Sequence, residues 1–107
     1  MINVELGTKL KLNIHIAPID GMTLDSYDYT TEVYCTPSQK KQSIVVAKSD
    51  TIRVDEENYI VRVDTNVTGV GIIVCRIIAQ IPDGDFADGY RTEVVAITTD
   101  FNVVKTK

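Results

Sequence analysis

The stretch Lys9-Leu10-Lys11-Leu12-Asn13-Ile14-His15-Ile16 decides the fold class. Every second residue is aliphatic and every intervening one is polar, which is the period-two pattern of a strand with one face buried and one in water. Leu10, Leu12, Ile14 and Ile16 are predicted to face a core. Pro18 and the Asp20-Gly21 turn signal end the run.

Working outward, residues 27–36 repeat the pattern, with Tyr29, Thr31, Val33 and Cys35 alternating with Asp28, Thr30, Glu32 and Tyr34. Residues 37–42 read as a polar loop, 43–48 as a short apolar strand and 51–54 as a brief extended piece. An acidic turn, Asp55-Glu56-Glu57-Asn58, leads into a strand over 59–64 in which Tyr59, Val61 and Val63 share one face. Residues 65–71 hold two glycines and read as a loop. The segment 72–81 is apolar on both faces, as a central strand would be, and Pro82 ends it. Residues 82–89 are dense in turn formers, a strand resumes over 90–99, and a last one over 101–105 closes the chain.

No segment combines helical periodicity with capping signals. Short strands at intervals of roughly ten residues predict an all-β fold, an immunoglobulin-like β-sandwich of seven to eight short antiparallel strands. A small β-barrel is the alternative, because alternation and strand count do not separate the two. At 107 residues the chain matches one domain, 1–107, with a single core.

Charge narrows the partners. Eleven Lys and Arg against fifteen Asp and Glu leave a net charge of −4, and Lys40-Lys41 is the one cationic pair, so nucleic-acid binding through phosphate contacts is not expected. The longest apolar runs, residues 72–75 among them, fall far short of a membrane span, and the first residues show no export signal. Cys35 and Cys75 sit on separate predicted strands. They could pair across a sandwich as in immunoglobulin domains, but no Trp is present to pack on such a bridge, and the reading as two free, buried cysteines is preferred.

Catalytic constellations are missing from the pattern. His15 is the sole histidine and alternates out of phase with the apolar face, so it is predicted at the surface. No serine sits in a nucleophile-elbow pattern, and paired carboxylates lack the aromatic platforms of a glycan-cleaving site. No enzyme activity and no cofactor are expected. Tyr27 and Tyr29 share one face and read as core filling, with Tyr34 on the other. Asn66-Val67-Thr68 matches a glycosylation acceptor that is common by chance.

The acidic hairpin is the one candidate site. Asp83, Asp85 and Asp88 are closely spaced oxygen ligands on a glycine-containing loop, the type of group that suits Ca²⁺, although their spacing is not that of an EF-hand. Turn formation by the same aspartates is the simpler reading. Arg91 and Glu93 point to the same face, from which Arg91 could reach back to the loop. Phe86, Tyr90, Arg91 and Glu93 are the candidate interaction residues.

The segment Ile81-Pro82-Asp83-Gly84-Asp85-Phe86-Ala87-Asp88-Gly89-Tyr90-Arg91-Thr92-Glu93, set between two strands, resembles small β-sandwich proteins encoded in Bacteroides-type prophages. Gly7 before an alternating strand, Asp20-Gly21 with Leu24 and Asp25, and the extended run to Cys35 are similar to the amino-terminal immunoglobulin-like module of phage baseplate upper proteins. The sequence departs from those proteins in having no downstream host-recognition region. The resemblance implies a non-catalytic structural module, cytoplasmic before assembly and virion-associated after it, with protein partners or self-association into a homo-oligomer.

Overall fold

The computed structural model describes residues 1–36 and 43–105; the predicted polar loop over 37–42, with its lysine pair, lies outside them. Among the described residues, eight strands form two sheets: β1 (Ile2–Glu5), β2 (Lys9–His15), β3 (Asp28–Thr36), β4 (Ile44–Ala47), β5 (Ile52–Arg53), β6 (Asn58–Asp64), β7 (Gly71–Pro82) and β8 (Tyr90–Val104). The larger sheet has the order β1-β8-β7-β3-β4 and the smaller the order β2-β6-β5. In immunoglobulin lettering these are A′-G-F-C-C′ and B-E-D, so the all-β, immunoglobulin-like sandwich is the observed architecture.

The two sheets meet through the residues that alternation assigns to the inside. Leu12, Ile14 and Ile16 beside β6 residues Tyr59, Val61 and Val63 face Tyr29, Val33, Cys35, Ile73, Cys75 and Ile77 of the larger sheet, in one core. Leu10, at the end of β2, is only partly buried. Each fully buried Val, Ile or Tyr contributes about 1.5–3 kcal/mol of transfer free energy, and side chains of both sheets are needed to exclude water. β7 lies between β3 and β8, with Ile73, Cys75, Ile77, Ala79 and Ile81 buried on its inner face, whereas Ile72, Ile78 and Gln80 on the outer face are only partly buried.

Three features differ from the sequence reading. Ile2–Glu5 forms β1, which pairs in parallel with Phe101–Val104 of β8, so the sheet is mixed and not wholly antiparallel. A four-residue strand whose partner lies at the other end of the chain leaves little local signal. Residues 90–104 form one strand and not two. The register with β7 shifts between Ile72 and Val74, and Thr99 spans the irregularity: its Oγ1 donates to the Ile73 carbonyl at 2.7 Å and accepts from Phe101 N at 3.2 Å. A side chain thus replaces the missing ladder bonds.

Thr65–Thr68 forms a single helical turn where a loop is predicted, since the Asp64 carboxylate accepts from Asn66 N at 3.0 Å and Gly69 closes the turn with φ +78°. The cysteines follow the preferred reading: Cys35 on β3 and Cys75 on β7 are neighbours in the same sheet, opposite Ile73 and Val33 respectively. They are not placed for the inter-sheet bridge of immunoglobulin domains, which joins the B and F strands, here β2 and β7. Both are free and buried.

Candidate functional site

The β7–β8 hairpin carries the acidic segment at its tip. Asp83 N donates to the Gly89 carbonyl at 2.8 Å and Gly89 N to the Phe86 carbonyl at 2.9 Å, while Gly89 adopts φ +83°, a value open to glycine. Asp83 and Asp88 are consumed by this turn. Asp83 Oδ1 accepts from Asp85 N at 3.0 Å, and Asp88 Oδ1 accepts from Tyr90 N at 3.1 Å. These are Asx turns, in which a side-chain oxygen holds a backbone N–H two residues on.

The second oxygen of Asp83 accepts from Arg91 Nη1 at 2.9 Å, and Glu93 Oε1 accepts from Arg91 Nε at 3.0 Å. Asp20, from the turn after β2, takes the remaining nitrogen, Nη2. One guanidinium therefore gathers three carboxylates from three places in the chain, and its pKa is pushed further up, first by the hydrogen bond to Asp20. Among the described residues, no group of three or more His, Cys, Asp or Glu is disposed to hold a metal ion. Asp83, Asp85 and Asp88 do not converge. The local cation is Arg91.

The sequence pointed to Asp83, Arg91 and Glu93 as a cluster but not to Asp20, which the fold brings in from far along the chain. Phe86 and Tyr90 stand outside this network, each about half exposed. His15 lies at the surface, with Nδ1 3.2 Å from Asn58 Oδ1 and Nε2 3.9 Å from Glu57. The Cys75 thiol is pushed up to about 11 by burial, and that of Cys35 is raised by the same cause, so both are held as neutral thiols at physiological pH.

Beyond the tip, β8 presents a feature with no counterpart in the motif reading. β7 pairs with one side of β8, and β1 covers the other side only at Phe101–Val104, so among the described residues the segment 90–100 has an open edge. Along it Val94 is 54% exposed and Val95 36%. Val94 points outward, opposite Ile78, whereas Val95 and Ile97 lie opposite Ile77 and Cys75 on the inner side. A cleft of about 350 Å³ runs beneath this edge between the two sheets, with Leu12, Ile14, Ile97 and Phe101 in its wall.

A second cleft, of about 560 Å³, lies where Leu10, Ile44, Val63 and Val67 meet below Lys9 and Lys11. Its lining comes from β2, β4, β6 and the helical turn, so no contiguous motif announces it. No described helix is long and apolar enough to cross a membrane.

No protein-family model and no curated protein matches the chain.

Proposed function

We propose that this chain is a non-catalytic structural or assembly module that acts through protein–protein contacts. The observation that carries the reading is the open edge of β8 over residues 90–100, where exposed valines accompany unpaired peptide groups. Such an edge gains a partner by strand addition, with backbone hydrogen bonds giving affinity and alternate side chains giving selectivity. The resemblance of the hairpin and of the first strands to phage baseplate modules supports a tail- or baseplate-associated role. On that reading the chain is cytoplasmic until it is incorporated into a virion, and it uses neither nucleic acid nor membrane.

The rival reading, a surface ligand-binding module that uses calcium at Asp83, Asp85 and Asp88, has less support, because two of these carboxylates cap backbone N–H groups and Asp83 also binds Arg91. Co-expression with the products of adjacent genes tests the assembly reading. Co-purification of a tail or capsid component at fixed stoichiometry supports it. A chain that stays monomeric by light scattering and retains none of those products overturns it.

A further inference from the structure

We infer that the open edge of β8 is an interface for a second copy of this chain, paired antiparallel about a twofold axis through Val95. This rests on the assembly reading and makes it specific.

The register follows from what bounds the edge. At one end the hairpin turn closes at Gly89, and at the other β1 begins to pair at Phe101. The open segment is therefore 90–100, and its midpoint is Val95. A twofold axis there uses the whole edge and sets Val95 against its own copy, Val94 against Ala96, Thr92 against Thr98, Glu93 against Ile97 and Arg91 against Thr99. No like charges fall opposite one another, and the threonine and valine pairs are favourable cross-strand neighbours. Because paired residues share the same parity, inward positions stay inward. The two five-stranded sheets then continue as one ten-stranded sheet, an isologous arrangement.

Comparison with the other edges supports the choice. β4 has four residues and β5 two, while the free side of β2 is studded with exposed Lys9 and Lys11. Short length and lysines are the devices by which edges avoid pairing. Residues 94–99, Val-Val-Ala-Ile-Thr-Thr, carry no charge, proline or glycine. The segment is roughly 35 Å long and about 10 Å deep, so each chain contributes a footprint of a few hundred Å² and the dimer belongs to the weak class. The net charge of −4 per chain opposes association, so salt strengthens it.

Sedimentation velocity on the whole chain, from about 10 µM to about 1 mM, is expected to show a monomer passing into a dimer. Val95→Lys and Val95→Glu place like charges across the axis and each weakens the dimer by about tenfold or more. An equimolar mixture of the two variants restores it, whereas Val45→Lys on β4 associates as the parent does. In the parent, amide exchange within residues 90–100 slows as concentration rises, a readout that needs no variant. A monomer at every concentration overturns the inference, and the assembly reading then stands or falls on the co-purification above. A dimer that ignores both Val95 substitutions, or a folded mixture that stays monomeric, also overturns the pairing while leaving assembly through another surface intact.

Discussion

The Tyr59 hydroxyl lies 2.7 Å from Thr31 Oγ1, and both residues are completely buried. Tyr59 belongs to the smaller sheet and Thr31 to the larger, so this hydrogen bond crosses the middle of the sandwich. Removing one hydroxyl leaves the other buried without a partner. Tyr59→Phe and Thr31→Val should each cost about 1–3 kcal/mol, and the double substitution less than their sum. Urea midpoints of the four proteins check this; strict additivity would show that the bond contributes nothing of its own.

Alkaline pH should weaken the fold through Cys75. In the unfolded chain its thiol ionises near the ordinary value of 9.0, but burial in the fold holds the proton to about 11. The folded state binds more protons in that window, so stability falls as pH rises through it. Burial also raises Tyr27, Tyr29 and Tyr59, which extends the loss above about pH 10. Denaturant midpoints across this range should drop, and Cys75→Ala should flatten the slope nearest pH 9. Neither thiol should react with a disulfide reagent before unfolding. An unchanged slope in the alanine variant would remove Cys75 as the cause.

Millimolar calcium should leave the melting temperature unchanged, because Asp83 already holds Arg91 and a backbone N–H, and Asp88 a second backbone N–H. Arg91→Gln should speed amide exchange at Asp85, Gly89 and Tyr90 by releasing Asp83, Glu93 and Asp20. A calcium-dependent rise in melting temperature of the parent chain would return the cation reading to the hairpin.

Gly71 opens β7 with φ +123°, and an added Cβ would stand 2.8 Å from the Thr36 carbonyl oxygen. That oxygen belongs to the backbone of β3 and cannot swing away. Gly71→Ala should cost about 2 kcal/mol or more in unfolding free energy, from the disfavoured dihedral and the displaced strand together. A loss below about 0.5 kcal/mol would mean that the two strands separate freely at this point.

The alternation in residues 9–16, 28–36 and 59–64 was sufficient to locate β2, β3 and β6 and to name most of their buried faces, because a half-buried strand leaves its period in every side chain. His15 was placed outside by the same rule. The strand β1, the continuity of β8 and the helical turn at Thr65–Thr68 were not legible. Each depends on a partner distant in sequence or on a cap that only the folded backbone aligns: Phe101–Val104 for Ile2–Glu5, the Ile73 carbonyl for Thr99, the Asp64 carboxylate for Asn66.

The candidate site divides in the same way. Asp83, Arg91 and Glu93 are near neighbours on one hairpin, so spacing alone brought them together, whereas Asp20 joins them only because the turn after β2 packs beside β8. The open edge is a property of strand order. Whether residues 90–100 are covered depends on how far the pairing with β1 extends along β8, and local composition carries no information about that. By itself, then, the sequence determined an all-β chain with defined inward faces and an acidic hairpin, since these arise from short-range periodicity and turn chemistry. The tertiary structure decided which strands are neighbours, that the two cysteines share one sheet, and which edge is left without a partner, because long-range pairing depends on how the whole chain buries its surface.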